Sequence, residues 1–238
     1  MLAESRAGVI CTPHSEASAA GMRVLDAGGT AIDAMLAASA MLSAVYPHMT
    51  GLGGDALWMI HDRRVRTIVG IGQAGQLLPD GGVIGLRGPS AVATTAGALA
   101  SWQTAHNISR GEWGSRMGWQ DLLGEAAQVA RAGAEVSESH LFWQQQRQAL
   151  IETLPDLKAL CQVDGRWLQA GDLLRQPQLA NTLEQLARHG VVDFYHGELA
   201  SAFAESFKRI GCGLRREDLA ATRAEECAPL SIRYRQGT

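Results

Sequence analysis

Residues 17–62 read ASAAGMRVLDAGGTAIDAMLAASAMLSAVYPHMTGLGGDALWMIHD and constrain the fold more than any other stretch. Alanine, leucine, methionine and valine recur three and four positions apart over 16–27 and again over 31–45, the period of two helices with buried faces. Gly28-Gly29 lies between them, where a helix C-terminus takes a left-handed residue. Thr30 offers an N-cap hydroxyl to the second helix, and Asp33 stands three positions on, the spacing of a capping box. Pro47 stops that helix. Gly51-Leu52-Gly53-Gly54-Asp55 then turns the chain into an apolar run, Ala56 to Ile60, short enough for a core strand. The glycines serve either a tight turn with positive φ or a backbone whose N–H groups approach something with no side chain in the way. No Lys-Ser/Thr pair follows, so this is not a phosphate loop.

The chain has 238 residues, 46% of them hydrophobic, enough for one substantial core and one domain over 1–238. Net charge is -3 with both signs interspersed, which carries no footprint for nucleic acid. No stretch approaches the roughly 18 apolar residues of a membrane span, so a membrane partner is not expected. The N-terminal MLAESRAGVICTP lacks the apolar block of a secretory signal. Cys11, Cys161, Cys212 and Cys227 are scattered without CxxC or zinc spacing, and the histidines make no i,i+4 pair. These features point to a reduced, cytoplasmic protein with no metal and no cofactor.

Gly8–Thr12 is β-prone ahead of Pro13. Ala56–His61 and Val65–Val69 predict a hairpin across Asp62-Arg63-Arg64, with Arg63, Arg64 and Arg66 read as a solvated tip rather than an anion site. Residues 70–89 are glycine-rich and aperiodic, a loop of the length that often lines binding sites. The small residues of 90–105 suggest a closely packed helix. Further helices are expected over 121–132, 139–152, 178–188, 198–208 and 216–219, and a strand over Leu230–Tyr234.

Taken in order, these features resemble the gamma-glutamyltranspeptidase family. Its large subunit opens with a Pro-x-x-x-Ala-Ser-x-Ala-Gly helix, here Pro13 to Gly21, then a Gly-Gly-Asn-Ala-x-Asp-Ala segment, here Gly28 to Ala34 with Thr30 in place of Asn. A Pro-containing Gly-x-Gly-Gly turn follows, here Pro47 to Asp55. The likeness continues through Gly171-Asp172 and Pro177, Asp193 to Gly197, Gly213 to Ala220, and Pro229 to Arg235. It implies an N-terminal-nucleophile hydrolase: a four-layer αββα sandwich of the α/β (α+β) class, completed by a small subunit from the same precursor. The new N-terminal Thr of that subunit would attack an amide carbonyl, with its own α-amino group or a water as base. The chain ends at Gly237-Thr238, early in the family pattern, so Thr238 is not the nucleophile candidate and no catalytic residue is expected in this chain. The resemblance also allows a dimer of such heterodimers.

The likeness breaks at one informative place. The family's glutamyl enzymes carry an Arg-Glu-x-Ala-Pro segment whose guanidinium grips the substrate α-carboxylate through paired hydrogen bonds. Matching Ala74 to that segment puts Ile71 where Arg stands, followed by Gly72 and Gln73, and the nearest basic residue is Arg66. The substrate-binding candidates are therefore Ile71, Gly72, Gln73, His48, Gly53, Gly54 and Asp55. Gln73 either hydrogen-bonds a small amide or is a solvated loop side chain. His48 either donates to a substrate carboxylate or is a buried or capping histidine. Asp55 holds the turn by accepting backbone N–H groups. Arg-less relatives hydrolyse oxamate in purine-nitrogen salvage, and Tyr46 to Asp55 is similar to that subgroup. The alternatives are a true gamma-glutamyl hydrolase or transferase, a glutaryl-type acylase, and an inactive scaffold.

Overall fold

The structure is a computed structural model that describes residues 2–4 and 8–235. In chain order its elements are β1 (Leu2–Glu4), β2 (Val9–Cys11), α1 (Ser15–Asp26), α2 (Ala31–Val45), β3 (Ala56–His61), β4 (Val65–Gly70), α3 (Ala98–Gly111) and α4 (Trp119–Ala132). They continue with β5 (Ala134–Glu135), α5 (Glu138–Gln146), α6 (Gln148–Ile151), α7 (Pro155–Leu160), β6 (Gln162–Val163), β7 (Arg166–Trp167) and β8 (Leu173–Leu174). Last come α8 (Pro177–His189), α9 (Asp193–His196), α10 (Glu198–Arg209), α11 (Arg216–Ala221) and β9 (Glu225–Cys227). By contact density the chain forms two compact units, residues 1–52 with 106–199 and residues 53–105 with 200–238. Gly237 and Thr238 lie outside the described residues.

The first unit is a helical assembly in which α2 lies between α1 and α4, and α4 packs on α8. α2 is buried on nearly every side, from Ile32 and Leu36 to Met41 and Val45, as its run of small and apolar residues requires. A Cβ at Gly21 would come within 2.8 Å of the Ala34 carbonyl oxygen, so glycine is what lets α1 and α2 approach so closely. The helix limits follow the local chemistry. α1 ends at Gly28, which has φ of 86°, and α2 begins with the full Thr30–Asp33 capping box. The expected helix over 139–152 is interrupted at Arg147, whose φ of -118° separates α5 from α6.

In the second unit β3, β4 and β9 form an antiparallel sheet in that order, with Trp58 opposite Ile68 and Thr67 opposite Cys227. Two expectations are corrected. The third strand is Glu225–Cys227, not Leu230–Tyr234. Pro229 has no N–H to carry the ladder onward, and the alternating Leu230, Ile232 and Tyr234 beyond it are 100%, 81% and 70% exposed. The helix expected from residue 90 begins only at Ala98. Ala93 and Thr95 are instead tied to the loop after β4: Gly75 N–H donates to the Ala93 carbonyl at 2.9 Å, and Thr95 N–H to the Gln73 carbonyl at 2.9 Å. The small residues there serve an extended crossing. A Cβ at Gly97 would lie 2.3 Å from the Gly70 carbonyl oxygen.

Among the described residues no helix is long and apolar enough to cross a membrane.

Candidate functional site

Alternation along the hairpin divides the sheet into unlike faces. Trp58, Ile60, Arg66 and Ile68 turn inward, and Ile68 is fully buried. Leu57 and Met59, on the other face, are 70% and 73% exposed, with Val65 and Val69 opposite or near them. Arg66 is therefore not part of a solvated tip. It is buried on the inner face and pairs with Asp62 at 3.3 Å and Glu226 at 3.7 Å. A guanidinium in that position is committed to its carboxylates and cannot serve the loop that follows β4.

That loop gathers four of the candidates. Asp55, at the head of β3, accepts the Gly72 N–H at 3.1 Å, so it ties the loop after β4 to the start of the hairpin rather than closing its own glycine turn. Gly72 is pressed so closely on Thr95 that a Cβ would lie 1.5 Å from the Thr95 carbonyl oxygen, so no other residue fits. Gln73 is held at both ends of its amide: Nε2 donates to the Asp218 carbonyl at 2.8 Å, and Oε1 accepts the Thr95 hydroxyl at 3.1 Å. Ile71 is half-exposed at the edge of this pinned segment. Gly53 and Gly54 are exposed in the turn before β3, and the Gly54 carbonyl accepts the first N–H of α3, from Ala98, at 2.9 Å. Gly51, Gly53 and Gly54 do not have positive φ, and a Cβ at Gly51 or Gly53 would meet nothing within 4 Å. Neither left-handed backbone nor crowding within the chain accounts for those two glycines.

Three residues of the second unit that the sequence did not single out complete this arrangement. Asp218 is buried and accepts the Gln76 N–H at 3.0 Å and the Arg215 N–H at 2.8 Å. Thr222 and Thr95 are buried too, their hydroxyls 2.8 Å apart. The one available signal was Asp218 at the third position of α11, where a carboxylate accepts the N-cap N–H.

His48 falls in the first unit, in an aromatic cluster. Its ring lies 4.2 Å from Tyr46 and edge-on to His140 at 5.2 Å, and its Nε2 is 3.0 Å from the Ser139 hydroxyl. The buried Nδ1 atoms of His48 and His140 have no hydrogen-bond partner. Burial, and then the neighbouring His140 and His14, push the His48 pKa down to about 4, and burial lowers that of His140. At neutral pH His48 is an uncharged ring within a packed cluster. Among the described residues no group of three or more histidine, cysteine or acidic side chains is disposed to hold a metal ion.

The family model for gamma-glutamyltranspeptidase matches residues 17–238. The chain is 36% identical to the oxamate amidohydrolase proenzyme of Klebsiella pneumoniae subsp. pneumoniae, over 97% of this chain and 45% of that protein. It is 32% identical to the glutathione hydrolase-like YwrD proenzyme of Bacillus subtilis, over 95% of this chain and 44% of that protein. It thus spans less than half the length of these relatives. Among solved structures, the gamma-glutamyltranspeptidase of Pseudomonas nitroreducens in complex with L-DON superposes with a TM-score of 0.85 at 25% identity, covering 99% of this chain and 70% of that one. The cephalosporin acylase of Bacillus halodurans gives 0.83 at 27% identity, covering 92% and 43%. The mixed α/β architecture described above is the one these structures share.

Proposed function

Because the chain belongs to the gamma-glutamyltranspeptidase family of N-terminal-nucleophile hydrolases, we propose that it is the large-subunit portion of a self-cleaving amidohydrolase precursor whose substrate is a small carboxylate-bearing amide, oxamate first. In this reading residues 1–238 are one domain of the precursor, supported by the unbroken family match over 17–238. The nucleophilic Thr comes from the remaining segment. Its attack on the oxamate amide forms a tetrahedral intermediate, collapse expels ammonia, and water cleaves the resulting ester to release oxalate. Ile71, Gly72, Gln73, Gly53, Gly54 and Asp55 contribute to the substrate side of the site. His48 is a further candidate, though a neutral imidazole brings a carboxylate one N–H and no charge.

One observation carries the choice of substrate. Where the family's glutamyl enzymes grip the α-carboxylate with Arg, this chain has Ile71, and the basic residue nearest to it along the sequence, Arg66, is buried in ion pairs. Losing a bidentate clamp costs on the order of several kcal/mol of binding unless another group replaces it. The oxamate amidohydrolase proenzyme at 36% identity supports the same choice. The exposed Leu57 and Met59 support a second β-layer, supplied by the small subunit, since a sheet buries an apolar face by packing against another layer. The same reading puts the protein in a reducing, cytoplasmic compartment, in keeping with four unpaired cysteines.

The test uses the matured precursor: ammonia release from oxamate beside chromophore release from a gamma-glutamyl anilide, with and without glycylglycine. Oxamate turnover alone is the expected result, and the Ile71→Arg variant should gain anilide binding. Anilide turnover stimulated by glycylglycine would establish the second reading, a gamma-glutamyl hydrolase or transferase, which the YwrD similarity favours. Activity only on larger acyl amides would favour a glutaryl-type acylase, a precursor that never cleaves an inactive scaffold.

A further inference from the structure

The loop that carries Ile71 is held by a hydrogen-bond chain whose direction is set by its members. The Gln73 Oε1 can only accept, so the Thr95 hydroxyl must donate to it at 3.1 Å. The Thr222 hydroxyl has two acceptors in reach, Thr95 Oγ1 at 2.8 Å and the Asp218 carbonyl at 3.1 Å; with the Thr95 proton spent on Gln73, the shorter contact is a hydrogen bond only if Thr222 donates to Thr95. The other end of the Gln73 amide must be the donor, because its partner at 2.8 Å is the Asp218 carbonyl. The links are mutually consistent in one orientation, and an amide at position 73, unlike an ionised carboxylate, presents an acceptor to a hydroxyl and a donor to a carbonyl together. The chain joins three stretches of the second unit: the loop after β4, the extended crossing before α3, and α11 with the residue that follows it. The Asp218 side chain adds a second tie, on the Gln76 N–H at 3.0 Å. Thr95, Asp218 and Thr222 are all buried, which shields the Thr95–Thr222 link from water, while Gln73 reaches them from an exposed loop through two partly buried bonds.

We propose that Gln73, oriented by Thr95, Thr222 and the Asp218 carbonyl, is a positioning residue that fixes the Ile71–Gln76 segment and so sets how tightly the small substrate is bound. The proposal rests on the reading of this loop as the substrate side of the site. It assigns Gln73 a role through the loop rather than through contact with the substrate. Tight recognition of a small ligand needs its binding wall held to a fraction of an ångström, and a glycine-rich loop has no such rigidity of its own.

The decisive variant is Gln73→Glu. Its carboxylate would set an acceptor against the Asp218 carbonyl, where only a protonated oxygen can donate. The charged groups around it are the Asp218 carboxylate on the Gln76 and Arg215 N–H groups, the Asp55 carboxylate on the Gly72 N–H, and the Arg215 guanidinium on the Cys212 and Leu214 carbonyls. The two carboxylates oppose a third negative charge, so the clamp closes as pH falls and opens as pH rises. In the matured precursor, KM for oxamate should rise about fivefold for Gln73→Glu between about pH 4 and pH 7, the range over which an exposed carboxyl ionises, with kcat changing less than twofold; the parent and Gln73→Met should lack that slope. Hydrogen exchange at the Gly75 and Gln76 amides, corrected for intrinsic rates, should accelerate with pH in Gln73→Glu alone, a readout that needs no substrate. Should Gln73→Glu fail to mature, Thr222→Val removes the first donor, and those two amides should still exchange about threefold faster. Unchanged exchange in both variants, or a flat KM profile in an active Gln73→Glu enzyme, would overturn the proposal. If the parent cleaves no oxamate while exchange behaves as described, the positioning role stands and the substrate reading falls.

Discussion

The two units dispose of their apolar side chains differently. In the first, Leu36, Met41, Leu122, Leu123, Leu183 and Leu186 are fully or almost fully buried, and Asp33, the buried carboxylate among the described residues of that unit, has its oxygens occupied. Thr30 N–H donates to it at 2.9 Å, the Ser109 hydroxyl at 2.8 Å and the Ser115 hydroxyl at 2.6 Å. The second unit buries Ile68, Leu99, Leu214 and Leu219 yet leaves Leu57 and Met59 largely in solvent on one face of its sheet. The helices of the first unit find their partners within the chain. The sheet of the second buries one face and leaves Leu57 and Met59 in solvent on the other, a difference that the further layer proposed above would remove.

Substitutions can break this contrast, and the largest effect should come from Asp33. Asp33→Ala would strip the capping box and leave one buried and one half-buried hydroxyl and an N–H without their carboxylate acceptor, at a cost of about 2–4 kcal/mol in denaturant unfolding followed by circular dichroism. A loss under about 1 kcal/mol would mean that the first unit is less self-contained than its packing indicates. Leu123→Ala should come close to it, at about 2–4 kcal/mol by the same measurement, because Leu123 is fully buried and a cavity would remain.

A smaller effect should appear on acidification. The His48 pKa falls from an ordinary 6.5 to about 4, so the folded state binds this proton more weakly than the unfolded chain does. The stabilisation from keeping His48 neutral is complete above pH 6.5, is lost as pH falls from there towards 4, and levels off below. Allowing for partial solvent access, the loss should be on the order of 1 kcal/mol, and His48→Phe should remove that part of the slope in stability measured against pH. The smallest effect sharpens the contrast most. Leu57→Thr with Met59→Thr should change the stability of the 238-residue chain by no more than about 0.5 kcal/mol, since both side chains are already wet. If the chain is the large-subunit portion of a self-cleaving precursor, as proposed above, the same pair in that precursor should impair cleavage or subunit association, read by gel electrophoresis and size exclusion. Equal tolerance in both settings would argue that nothing covers this face.

What the sequence determined by itself is what neighbouring residues decide between them. Helical period, the Gly28 stop and the Thr30–Asp33 box placed α1 and α2 within a residue of their limits. The β3–β4 hairpin was equally legible, because its hydrogen bonds close over a short, patterned span. The family likeness added a fold that no local pattern could have supplied.

Tertiary structure decided the rest, for a physical reason. Arg66 reads as a tip cation until its strand is seen to turn it inward beside Asp62 and Glu226. The alternation of Leu230–Tyr234 says which side chains share a face, but a strand also needs a partner edge, and β4 gave its edge to Glu225–Cys227. The small residues of 90–97 suit close approach by a helix or by extended backbone alike, and only the crossing loop selects between them. Gln73 meets Asp218 across 145 positions and Thr95 across 22, so its role is set by which segments arrive beside it. Periodicity and capping are written in the residues that make them, whereas the partners of a polar side chain are fixed by packing.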